Sequence, residues 1–107
     1  MTIKKDKKND LKLQVRLLLS TQRAILGKVY PSIRAICIGF EGRKKLNIFC
    51  YIDRMIIEED KENLSDISAE ISADFDFLVT NEICIYSLEP FSHLDSLTSW
   101  VYMRKES

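Results

Sequence analysis

Glycine and proline are scarce, three and two in 107 residues, which excludes a collagen-like repeat, a low-complexity linker and an extended disordered chain. Histidine occurs once, at His93 among turn formers, so imidazole-based nucleophilic catalysis has a single weak candidate. The three cysteines, Cys37, Cys50 and Cys84, sit in alternating apolar segments at separations that match no metal or redox pair. They read as reduced, buried small hydrophobes. The glycines stand singly at positions 27, 39 and 42, so no loop is built to cradle phosphate. No apolar run nears the roughly 20 residues needed to span a bilayer, and no signal-peptide core follows the lysine-rich start. These absences lead us to expect a cytoplasmic chain with no catalytic residues, no metal, no cofactor and no small-molecule substrate. Its work is binding.

What is present suffices for one core. An apolar fraction of 46% beside 30% charged residues is ordinary for a globular domain of this length. The formal net charge is zero, but it hides a split: residues 1–50 hold 12 Lys and Arg against 3 Asp and Glu, and the remainder holds 4 against 13. Two opposite fields cancel in the total, and either can steer a partner.

Residues 1–9 have almost nothing to bury and read as a flexible basic arm, with residues 10–107 as a single α+β domain. Leu11, Val15, Leu18, Leu19, Gln22, Ile25 and Leu26 fall on one stripe of a helix from about Asp10 to Leu26. Lys12, Arg16 and Arg23 take a neighbouring solvated face. Gly27 is placed to close that helix in a left-handed cap, with Pro31 beyond it. Ser32 to Phe40 and Lys45 to Asp53 read as strands. In the first, Ile33, Ala35 and Cys37 face one side and Arg34, Ile36, Ile38 and Phe40 the other. The short linker of Glu41, Gly42, Arg43 and Lys44 makes the two an antiparallel hairpin. Apolar residues on both sides imply a sheet covered by helices on one face and partly shielded on the other.

Glu58 to about Ala73 returns to the helical period. Leu64, Ile67, Ile71 and Phe75 form its buried stripe, and Glu59, Glu62, Asp66, Glu70 and Asp74 its solvated one. Ile57 is a poor N-cap, so the first turn is expected to fray. Strands at Glu82 to Leu88 and Ser99 to Arg104 follow, separated by a loop through Pro90 and His93. The expected fold is two helices packed on a four-stranded antiparallel sheet, in the order α-β-β-α-β-β.

Residues 53–76 hold nine acids, Asp53, Glu58, Glu59, Asp60, Glu62, Asp66, Glu70, Asp74 and Asp76, against Arg54 and Lys61 alone. A solvated face accounts for such a run, but its self-repulsion is best relieved by a basic partner, for which complementary fields also speed encounter. Lys4, Lys5, Lys7 and Lys8 lack interleaved aromatics and read as a solubilising tail rather than a nucleic-acid contact. Phe91 and Leu94, in the loop before the last strand, are less easily placed in a core and are candidate interface anchors.

Leu17 through Gly27, Ser32 to Ala35, and Phe49 to Asp53 followed by Glu58, Glu59 and Asp60 resemble a family of small bacterial immunity proteins. So do Ala69 to Phe75 and the closing Trp100 to Glu106. Members are encoded beside polymorphic toxins, including those of contact-dependent growth inhibition systems. The resemblance implies an antitoxin that binds and blocks a cognate toxin domain. The acidic stripe of Glu59, Glu62, Asp66, Glu70 and Asp74 is then the expected contact with a basic nuclease. Met55, Ile56 and Ile57 stand where related chains carry a turn and a small polar cap, which would add apolar surface to that contact. A homodimer or adaptor, pairing opposite charge halves between copies, is the second reading, and a nucleic-acid binder using the lysine arm the third.

Overall fold

The structure, a computed structural model, describes residues 3–41, 44–75 and 79–106, with side chains from Leu11 onward. Gly42 and Arg43 of the expected linker, Asp76 of the acidic run, and Met1 and Thr2 lie outside these. The chain order is α1 (Ile3–Ala24), β1 (Ile33–Glu41), β2 (Lys45–Ile52), α2 (Glu58–Ala73), β3 (Val79–Tyr86), a short 3-10 turn at Phe91–His93, and β4 (Ser99–Met103). No helix of the described residues is long and apolar enough to cross a membrane. Helical backbone already begins at Ile3, ahead of the expected start near Asp10. Gly27, at φ 76°, takes the left-handed conformation that ends the segment.

The α+β class and the element sequence hold, but the sheet is not purely antiparallel. Its spatial order is β3-β2-β1-β4. β1 pairs antiparallel with both β2 and β4, while β3 runs parallel to β2. The expected hairpin of the last two strands is therefore not formed, and they become the opposite edges of the sheet. The reason lies in α2. A helix between two strands carries the chain back to the starting end of the sheet, so the next strand enters parallel to the one just left.

The chain must then cross from one edge to the other, about 14 Å at the usual strand spacing. Residues 87–98 make that crossing over the face opposite the helices. On the helix face, Ile33, Ile36, Ile38, Leu46, Ile48, Cys50, Ile52 and Val101 meet Leu13, Leu17, Ala24, Ile25, Leu64, Ile67, Ile71 and Phe75 in the main core. On the other face, Ala35, Cys37 and Tyr51 form a smaller core, covered by Phe91, Leu94, Leu97 and Trp100. Phe91 and Leu94 thus do have a place against a core. The Phe91 ring meets Trp100 edge-on at 6.2 Å, and Trp100 lies 5.8 Å from Tyr51. Gly39 marks the close approach of the crossing loop, since a side chain there would sit 2.9 Å from Leu97 Cβ.

Strict alternation misplaces two residues of β1. A register shift between Ile33 and Ala35 turns Ile33 into the main core and Arg34 to the other face beside Ala35. Arg34 is buried there with its charge fully engaged. It donates to Glu106 at 2.9 Å from two nitrogens, and to the carbonyls of Ser87 and Glu89 at 3.0 and 2.8 Å. Its guanidinium also stacks 4.7 Å over Phe91. One arginine so fastens the crossing loop and the C-terminal tail to the sheet. Arg34, with Arg104 beside it, draws the Glu106 carboxyl down to about 2.

The larger departure concerns α1. Among its described side chains the buried ones are Leu13, Leu17, Ser20, Thr21 and Ala24, joined by Ile25 just beyond its end, whereas Leu11, Val15, Leu19 and Leu26 of the expected stripe lie in solvent. The small residues explain the choice. Ser20, Thr21 and Ala24 let the helix axis approach its neighbours, and the Thr21 hydroxyl is satisfied by donating to Leu17 O at 2.7 Å. A reading by hydrophobicity alone favours the opposite face, which is richer in leucine.

Candidate functional site

Helix α2 runs antiparallel to α1, as three contacts show. Ser20 Oγ donates to Asp74 Oδ2 at 2.6 Å, Lys28 Nζ lies 3.6 Å from Asp66, and Tyr30 hydrogen-bonds Asp60. The C-terminal end of α2 therefore sits beside the last turns of α1, and its N-terminal end beside the turn that follows. Leu64, Ile67, Ile71 and Phe75 are buried, as the helical period requires.

That orientation aims the acidic stripe outward. Glu59, Glu62, Asp66, Glu70 and Asp74 are all exposed, within a single arc of the helix surface. They are not equivalent. Asp74 is held by Ser20 and by Arg23 of α1, 3.3 Å away, and Asp66 by Lys28 of the turn that follows it, so these two are tied to the neighbouring segment. Glu59, Glu62 and Glu70 project beyond that border.

Asp60 belongs to the same acidic run in sequence but not in space. Its side chain is 1% exposed, clasped by Arg54 at 2.8 and 3.1 Å, by the Tyr30 hydroxyl, and by the Ile57 backbone N–H at 2.9 Å. The Ile57 contact corrects the expectation of a frayed first turn. A residue without a capping side chain is served from within the helix, by a carboxylate three positions on. Arg54 and these hydrogen bonds outweigh the cost of burial and hold the Asp60 carboxyl down at about 2. Burial and Asp60 together raise the Tyr30 phenol. This knot fixes the start of α2, so that Glu59 and Glu62 rise from a rigid base.

The segment before α2 brings apolar surface to the same end of the molecule. Met55 is 75% exposed and Ile57 45%. Tyr86 and Leu88, at the C-terminal end of β3, are also exposed, and β3 ends alongside β2 there, with Ser87 N–H donating to Ile52 O at 3.0 Å. Isolated exposed apolar residues are ordinary, but several gathered beside a group of acids resemble the apolar centre and polar rim of a protein interface. Sequence reasoning found the acids and the oddity of Met55 and Ile57. It named Tyr86 only as one of several strand aromatics that are core or interface anchors and did not single out Leu88, because only the parallel entry of β3 brings them to this end.

Among the described residues no three His, Cys, Asp or Glu side chains are placed to hold a metal. His93 pairs with Glu89 at 3.3 Å on the exposed crossing loop. Cys37 is buried, which pushes its thiol up to about 12. Cys50 and Cys84 are register partners on the parallel strands, both free.

The family model described as MafI2 immunity protein matches residues 14–106. No curated protein matches the chain.

Proposed function

We propose that this chain, which belongs to the MafI2 immunity protein family, neutralises a cognate toxin domain by docking the N-terminal end of α2 onto it. The observation that carries the reading is the pairing, at one end of the fold, of exposed Glu59 and Glu62 with exposed Met55 and Ile57 over the Asp60 knot. The apolar residues supply area that gains on losing water. The acids supply orientation and a fast, salt-sensitive encounter with a basic surface. Glu70 continues the acidic face, and Asp66 and Asp74 complete it while remaining paired with Lys28 and Arg23. A nuclease is the toxin class such a surface fits best, because a site that binds phosphates presents the opposite charge.

No catalytic group is needed for this work, since occupying the toxin's surface is enough to block it. The test is a calorimetric titration of the cognate toxin domain with the wild-type chain and with Glu59→Lys/Glu62→Lys. Both substitutions are at exposed positions, so the variant should keep its circular dichroism. An affinity lower by at least tenfold supports the acidic face, and unchanged affinity removes it from the interface.

A further inference from the structure

The parallel entry of β3 brings two cysteines together. Cys84 is in register with Cys50 of β2, so the two side chains stand next to each other on the same face of neighbouring strands. That face is the helix side, where Cys84 packs against the core cluster that contains Cys50. Registered residues of adjacent strands have Cα atoms about 4.8 Å apart, inside the range of about 4.4–6.8 Å that a disulfide spans. Both thiols are free.

The two sulfurs are not equivalent. Cys50 is 2% exposed in the interior of the sheet, whereas Cys84 is half-buried on the edge strand and lines a recess with Lys61, Leu64, Glu82 and Ile83. A small solute meets Cys84 first. The Cys50 thiol donates to the Cys84 sulfur, which draws the Cys84 thiol down and pushes its own up. The Lys61 ammonium also lowers Cys84, against burial and the Asp60 and Glu82 carboxylates. The accessible thiol is thus the more acidic, and the buried one keeps its proton. Cys37 supplies the contrast: it lies on the other face of the sheet, where it donates to Asp95 O at 3.4 Å, away from both.

We propose that Cys50 and Cys84 form a modification site for hydroperoxides, at which the pair is oxidised to a disulfide that ties the edge strand β3 to β2. The Cys84 sulfur attacks the O–O bond and becomes the sulfenic acid, and the thiol proton leaves with the departing oxygen as an alcohol, or as water from hydrogen peroxide. The Cys50 sulfur then attacks the Cys84 sulfur, so that an S–S bond forms, the S–O bond breaks, and the Cys50 proton leaves with the hydroxide as water. The two thiols together lose two electrons, and one O–O bond gains them. The covalent loop closes residues 50–84 and encloses the whole of α2. In the thiol state Cys84 Sγ donates to Asp60 O at 3.6 Å, and the disulfide removes that donor from the first turn of α2. The reaction needs no toxin, so it stands or falls apart from the docking surface.

The experiment treats the full chain with hydrogen peroxide and maps its tryptic peptides by mass spectrometry without reduction. The wild-type chain should become about 2 Da lighter, the mass of two hydrogens. Its map should show residues 46–54 joined to residues 62–104, a species that dithiothreitol resolves. Cys37→Ala should form the same link. Cys50→Ala should stop at the Cys84 sulfenic acid, which dimedone captures, whereas Cys84→Ala should bind no dimedone at Cys50 under the same treatment. A wild-type chain that keeps its thiols under peroxide sufficient to oxidise free cysteine overturns the proposal, whatever the folding of the variants. So does oxidation of Cys84 without the link, a link through Cys37 or between two copies, or equal capture of dimedone by Cys50 and Cys84.

Discussion

The two helices lie in one layer over one sheet, yet they handle their outer surfaces in opposite ways. α2 buries Leu64, Ile67 and Ile71 and turns acids to solvent, so its outer face is stable in water as it stands. α1 buries Leu13 and Leu17 and still leaves Leu11, Val15 and Leu19 exposed. A charged face acts at a distance and tolerates being uncovered between encounters, which suits a partner met from outside. An apolar ridge acts only on contact, at the range where water is expelled.

The comparison within α1 is broken most sharply by truncating one leucine on each side. Leu17→Ala should cost about 3 kcal/mol of stability, because the cavity lies where helix meets sheet. Leu19→Ala, measured in denaturant, should stay within about 0.5 kcal/mol. Equal costs at the two positions would mean that α1 is rotated about its axis, with Leu19 turned toward the sheet.

Next in size is the knot that sets α2 in place. Asp60→Ala strands the Tyr30 hydroxyl and the Ile57 N–H and leaves Arg54 without its partner, for a loss of about 2–3 kcal/mol in urea unfolding. The same group carries a pH signature. Its carboxyl is held at about 2 in the folded chain, below its unfolded value of about 3.9, so its contribution is complete above pH 5 and fades as pH falls from about 4 to about 2. Wild-type stability should therefore drop over that window, and the variant should drop less steeply. Glu106, drawn down in the same direction by Arg34, keeps part of the slope in both.

Smaller again is the effect expected at the exposed acids. Glu59→Lys/Glu62→Lys should weaken toxin binding by about 1.4–2.8 kcal/mol, equivalent to tenfold to a hundredfold, with little change in unfolding free energy. Much of the loss should appear as a slower association rate that converges with wild type as salt is raised, readable by stopped-flow mixing. A loss independent of salt would assign those residues a packing role instead.

Much of this was legible in the sequence. The stripe of α2 was readable because aliphatic and acidic residues there sort cleanly onto opposite sides, and the β1–β2 hairpin because its strands are joined by a short glycine-containing linker. Three features were not. The buried side of α1 is built partly of Ser20, Thr21 and Ala24, whose value is close approach rather than hydrophobicity. The side of Arg34 depends on one inserted residue in β1, which periodicity two cannot register. The placement of β3 and β4 on opposite edges depends on how α2 returns the chain, a long-range choice that local pattern does not encode. The acids of the candidate site were identifiable by charge alone. That Asp60 is a structural anchor while Glu59 and Glu62 lie exposed needed the three-dimensional partners Arg54 and Tyr30.

Amide hydrogen exchange of the chain alone and bound to its toxin domain tests the central claim most directly. Docking through the N-terminal end of α2 predicts new protection across residues 55–66, with β4 and the crossing loop unchanged. Protection confined to the crossing loop or to β4, with residues 55–66 exchanging as in the free chain, would contradict it.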